Sequence, residues 1–174
     1  MKIKVVVSFL FLLCVFTSPA NAEQSTTNDV SQQSSKLSTI NADNVDQLII
    51  VMTNDFNKQL KQIETQYHFS RTHRDARSFL VWHLRAFVPE QSQLESYYQT
   101  VFTTNKDFLS TTDVTPLLPA FKSLTPITVN LIEAMRDSNA VKLEEAKKKI
   151  NEAKAAFNKV IDAHKLTDKV STEK

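Results

Sequence analysis

Residues 45–67 read VDQLIIVMTNDFNKQLKQIETQY, and this stretch decides the class of the fold. Val45, Ile49, Met52, Phe56, Leu60, Ile63 and Tyr67 step by three and four along it. A helix turns by about 100° per residue, so these positions make one apolar stripe with polar residues around it. The spacing predicts a helix from Asp43 or Asn44 to about Tyr67.

The far end of the chain repeats the signature. From about Asn139 to Leu166, the residues Leu143, Ala146, Ile150, Ala153, Phe157, Val160 or Ile161, and His164 form a second three-four seam. Glu144 and Glu145 stand four residues before Lys148 and Lys149, the favourable order for ion pairs on a helix surface. The seam can pack inside its own domain or against a second copy as a coiled coil. Ala146 and Ala153 give little burial per layer, so a monomer is favoured over a dimer through 143–164.

Between these two helices the pattern remains helical. No run alternates cleanly with period two, and the chain has no glycine, the residue most tight hairpin turns need. One helix is expected after Ser70, ending before Pro89 because a residue preceding proline avoids the helical region. Another runs from Pro89 or Ser92 to Leu109, burying Leu94, Tyr97, Tyr98, Val101, Phe102, Phe108 and Leu109. In TPLLPAFKSLTPITVNLIEAM, residues 115–135, Thr115 and Thr125 each read as an N-cap with proline in the first helical position. Two short helices, or one kinked near Leu124, fit equally. The predicted fold is an all-α, antiparallel up-down bundle of four to six helices.

The ends frame that domain. Lys2 and Lys4, the apolar run VVVSFLFLLCVF and the small-residue TSPANA make a secretory signal peptide over residues 1–22, cleaved after Ala22. It is too short for a permanent membrane span, and no span follows it. Residues 23–42 are rich in Ser, Thr, Gln and Asn and read as a disordered polar leader. The bundle occupies 43–166, and 167–174 is a fraying tail. Removing 22 residues from 174 leaves 152, enough for one domain with its own core.

The only cysteine, Cys14, lies inside the signal, which excludes disulfides and thiol chemistry from the mature chain. An exported protein without disulfides fits a bacterial periplasmic or secreted setting better than an animal one. The formal charge of +2 includes Lys2 and Lys4, so the mature chain is close to neutral. That balance gives no global attraction to nucleic acid.

Residues 68–87, HFSRTHRDARSFLVWHLRAF, hold the densest candidate chemistry. Counted at about 100° per residue, Arg71, Arg74, Arg77 and Arg85 share a face that also carries Trp82. Ala76, Phe79, Leu80, Leu84 and Phe87 fall on a separate apolar face. Guanidinium forks beside one aromatic suit an anionic partner: a protein, an envelope surface or a glycan. The plainer alternative pairs these arginines with Asp46, Asp55 and Glu64 of a neighbouring helix.

Other motifs carry less. The HRD of His73, Arg74 and Asp75 imitates a kinase catalytic loop, yet Leu80 stands where that loop needs asparagine. Without glycine there is no phosphate-cradling loop, dinucleotide fingerprint or nucleophile elbow. The histidines lack the i,i+4 spacing of a helical metal site, so no metal is assigned. Met52 and His164 lie on the inner stripes where haem ligands would sit, but no cofactor is called for. No catalytic residue is identified.

The function expected is an exported interaction module binding through the face of Arg71, Arg74, Arg77, Trp82 and Arg85. The alternative is a carrier of a small apolar or amphipathic ligand lodged among Leu117, Leu118, Phe121 and Leu124. An enzyme without a recognisable motif ranks third.

Overall fold

A computed structural model describes residues 39–167, 169 and 170. The expected signal peptide, residues 23–38 of the leader and the last four residues lie outside the described residues. Among the described residues every regular element is helical: α1 (Val45–Thr72), α2 (Ala76–Trp82), a π-helical turn (His83–Phe87), α3 (Val88–Thr104), α4 (Lys106–Leu109), α5 (Leu117–Lys122), α6 (Leu124–Arg136) and α7 (Ala140–Ala163).

The two periodic stretches form the long helices α1 and α7. Val45, Ile49, Met52, Phe56, Leu60 and Ile63 are buried, with Tyr67 packed at the edge of the core. On α7 the buried positions are Ala146, Ala153, Phe157, Val160 and Ile161, flanked by half-buried Leu143 and Ile150. Phe56 stacks on Phe157 with ring centroids 4.2 Å apart. Glu64 pairs with Lys154 at 3.2 Å, and Asp46 with His164 at 2.7 Å. Contacts thus run in reverse order along the two helices, which puts the end of α1 near the start of α7.

The packed chain begins before Asp43. Ile40 is 3 % exposed, and its N–H donates to Asn105 Oδ1 at 2.8 Å. Asn105 in turn donates from Nδ2 to Val101 O, so this buried amide ties the entry of α1 to the end of α3. At the other end Leu166 is buried and Val170 packs on the core, which carries the domain past position 166.

Pro89 does not end the second helix. The π turn joins α2 to α3 without a break, because Val88 N–H reaches back five residues to His83 O. That wider turn takes the extra residue, and Pro89, which has no N–H to place, follows in the first turn of α3. Residues 84–86 on this turn are exposed. The third helix therefore starts at Val88 and ends at Thr104. Phe108 and Leu109 belong to the separate turn α4.

The proline-rich stretch forms two helices, but the threonines do not cap them. α5 starts after Pro116 with no side-chain cap. Thr125 lies inside the first turn of α6 and donates from Oγ1 to Glu95 Oε1 at 3.1 Å, so its hydroxyl bridges to α3 instead.

Three helices stop without glycine. Arg74, Ser138 and Lys165 have φ of 53°, 51° and 55° and follow α1, α6 and α7 by two residues. In each case the next residue's N–H returns to the helix: Asp75 to Ser70 O, Asn139 to Ala134 O, and Leu166 to Ile161 O. This is the Schellman stop, with bulky or polar side chains where glycine is usual.

Candidate functional site

Segment 68–87 is organised by the first of those stops. α1 ends at Thr72, His73 caps it, and Arg74 takes the left-handed turn, its N–H bonded to Arg71 O at 3.2 Å. Asp75 then caps α2, its Oδ1 accepting Ser78 N–H at 2.9 Å. The HRD tripeptide is therefore the hinge between two helices, each residue with a backbone duty.

This hinge divides the expected arginine face. Arg71 lies in the last turn of α1, Arg74 in the connection, Arg77 in the first turn of α2 and Arg85 in the π turn. All four are exposed, and none has a side-chain ion pair or hydrogen bond among the described residues. The fifth arginine of the chain, Arg136, contrasts with them: its Nε and Nη2 hold Asp137 at 2.7 and 2.6 Å.

The acids that would have neutralised the four are occupied. Asp46 is held by His164, Glu64 by Lys154, and Asp55 accepts the Tyr98 hydroxyl at 2.5 Å. Burial raises the Asp55 pKa, and the Tyr98 bond pulls it back in part. Tyr98 itself is fully buried, and burial beside this carboxyl pushes its hydroxyl far above the ordinary phenol range.

Trp82 does not stand on the arginine face. It is half-buried, with Phe79 at 5.4 Å and Phe87 at 5.5 Å on either side, and so belongs to the edge of the core. His83 beside it is 6 % exposed, and burial lowers its pKa, which favours the neutral ring. Conversely, Leu80 and Leu84, assigned to the apolar inner face, are 38 % and 58 % exposed. Two departures from a uniform helix cause this exchange. The break at 73–75 resets the wheel counted from Arg71, and the π turn shifts everything after His83.

The result is an outer stripe that helical counting from Arg71 did not reveal. Arg77, Leu80 and Val81 follow i, i+3 and i+4 on α2, and exposed Leu84 and Arg85 continue from them in the π turn. Val81 is exposed as well, and Phe69 stands exposed in the last turns of α1. The only sequence signal for it was a helical run with more apolar residues than one buried face can hold.

Arg71 and Arg74 face elsewhere. They line a cleft of about 460 Å³ between the end of α1 and the turn from α6 into α7. Its walls include Tyr67, Ala76, Met135 and Leu143, and no residue lining it is acidic.

The alternative apolar site is core. Leu117, Phe121 and Leu124 are fully buried, with Tyr98 edge-on to Phe121 at 5.1 Å, and Leu118 packs partly buried beside them. No group of three or more metal-ligating side chains gathers among the described residues. Both ring nitrogens of His164 are taken, Nδ1 by Asp46 at 2.7 Å and Nε2 by Asp113 at 2.9 Å, which leaves it no lone pair for a haem iron. Among the described residues no helix is long and apolar enough to cross a membrane. No protein-family model, curated protein or solved structure matches this chain.

Proposed function

We propose that the chain is an exported, non-catalytic helical module that binds an anionic envelope surface through segment 68–87. The signal peptide would deliver it to the periplasm or medium after cleavage behind Ala22. The helices would form one antiparallel up-down bundle that holds the binding face rigid.

One observation carries the reading. Four of the five arginines lie within 71–85, exposed and without acid partners among the described residues. Exposed guanidinium groups keep their donors available for phosphate or carboxylate. The stripe Arg77, Leu80, Val81, Leu84 and Arg85 adds aliphatic side chains between two cations. That pattern suits a lipid surface, which offers headgroup charge above and hydrocarbon below. An acidic glycan offers only the charge.

Co-sedimentation with lipid vesicles tests this. Capture on phosphatidylglycerol vesicles but not on phosphatidylcholine vesicles is expected, weakening as salt rises. Arg77→Glu with Arg85→Glu should abolish capture at unchanged melting temperature. Equal capture by both vesicle types, or none by either, rejects the lipid surface. A large fall in stability on charge reversal would make the arginines structural.

A further inference from the structure

We infer that the cleft holding Arg71 and Arg74 is a separate site for a small amphipathic oxyanion, a carboxylate or phosphate monoester on a short apolar chain. It does not depend on the outer stripe of Arg77, Leu80, Val81, Leu84 and Arg85, none of which lines it.

The cation half comes from the helix stop. Arg71 sits in the last turn of α1 and Arg74 in the left-handed turn that follows, bonded through their backbones by Arg74 N–H to Arg71 O. The backbone bond therefore anchors both side chains to one turn. Both guanidinium groups lack partners among the described residues. Neighbouring acids do not quench them: Asp75 caps α2, and Asp137 is held twice by Arg136. Lys142, close by on α7, is already shared between Glu133 and Glu145. Two free forks lining one concavity can each offer paired N–H donors to an oxyanion, and such charge-assisted bidentate bonds are among the stronger hydrogen bonds.

The apolar half comes from the surrounding helices. Tyr67 lies in the last turns of α1, Ala76 opens α2, Met135 lies in the last turn of α6 and Leu143 in the first turn of α7. Methionine and tyrosine adapt to an alkyl chain or ring. A volume of about 460 Å³ falls within the range of small-molecule pockets. The start of α7 contributes no anion site of its own. Asn139 Oδ1 already accepts Val141 N–H and Lys142 N–H at 3.1 and 3.2 Å.

Strain alone does not mark a site, since Lys165 adopts the same left-handed backbone and does not line this cleft. It does supply a clean variant. Arg74→Gly removes the guanidinium and relieves the positive φ, so the fold is kept while the site is lost.

Isothermal titration calorimetry of the purified chain decides the matter, with decanoate and decyl phosphate below their critical micelle concentrations and decanol below its solubility limit. One molecule of decanoate or decyl phosphate should bind per chain, at least tenfold tighter than decanol. Whichever of the two binds names the headgroup. Arg71→Gln and Arg74→Gly should each weaken that binding about tenfold or more. The Arg77→Glu, Arg85→Glu chain should lose vesicle capture and bind the anions as before. Absence of binding by both anions, decanol binding as tightly, or affinity unmoved by both cleft substitutions overturns the site.

Discussion

The ends of α1 and α7 are built from the same parts and used differently. Each helix stops at a histidine followed by a basic residue in the left-handed region: His73 and Arg74 on α1, His164 and Lys165 on α7. On α7 the histidine ties the fold together. Its ring bridges Asp46 at the start of α1 and Asp113 in the α4–α5 connection. On α1 the histidine reaches only its own turn, with Nδ1 at 2.8 Å from Phe69 O, and the adjoining arginine looks into a cleft without acids. One backbone motif thus serves structure where acids surround it and leaves charge available where they do not. Function, on this reading, lies in what the neighbouring helices withhold.

Both ends hang on one rod, the packing of α1 against α7. Phe157→Ala removes the ring stacked on Phe56 and should cost about 3–5 kcal/mol of stability, the largest loss expected here. Urea titration should show it, with decanoate binding and the Asp46–His164 bridge disappearing in a single transition. If one end survived the change, the two ends would not be halves of one cooperative unit.

Next in size is the acid withdrawn from the arginines by burial. Tyr98→Phe leaves the Asp55 carboxyl without its hydroxyl donor, at a cost of about 1–3 kcal/mol at neutral pH. Burial holds the folded pKa of Asp55 above its ordinary value. Its titration therefore favours the fold at pH below about 4, and that contribution is lost as pH rises through the raised value. The lost bond had served the charged form, so the penalty of the variant should shrink in acid. A penalty equal at pH 4 and pH 7 would show that Asp55 stays protonated across the range.

The His164 bridge predicts a smaller effect with a definite sign. Burial opposes its protonation, but the bonds to Asp113 and Asp46 outweigh that and set its pKa above the ordinary value. A raised histidine contributes stability that is full below about 6.5 and lost as pH climbs through the folded value. Half-exposed carboxylates screen the pair, so about 0.5–1 kcal/mol is expected. His83, lowered by burial, titrates in the opposite sense, so the bridge is read as wild type minus His164→Gln. That difference should be present at pH 5.5 and fade by pH 8. A difference that stayed the same from pH 5.5 to pH 8 would show that the bridge does not depend on the charged ring.

Much of this was legible from residue spacing. The stripes of 45–67 and 143–164 name their buried residues because a regular helix with one dry face leaves a periodic trace. The trace fails where the helix is irregular. Pro89 read as a stop because the π turn that absorbs it has no sequence mark, and that turn carried Leu84 outward. The wheel counted from Arg71 ran through a hinge at His73, Arg74 and Asp75 that no glycine announced. The unpaired state of the arginines was hidden for a different reason. It depends on where Asp46, Asp55 and Glu64 find His164, Tyr98 and Lys154, all of them far away in sequence.

The smallest expected effect separates the two helix ends most sharply. A residue other than glycine at positive φ carries a conformational cost of about 1–2 kcal/mol, part of which glycine returns through its looser unfolded chain. Lys165→Gly and Arg74→Gly should therefore each stabilise the protein by about 0.5–1 kcal/mol, a rise of roughly 1–4 °C in melting temperature. At Lys165 that gain should be the whole outcome, since the His164 bridge uses the ring and not the neighbouring ammonium group. At Arg74 the same gain should come with loss of decanoate binding, stability and affinity moving in opposite directions. If Arg74→Gly instead destabilised the chain while Lys165→Gly did not, the guanidinium would be supporting the fold, and the α1 end would be as structural as the α7 end.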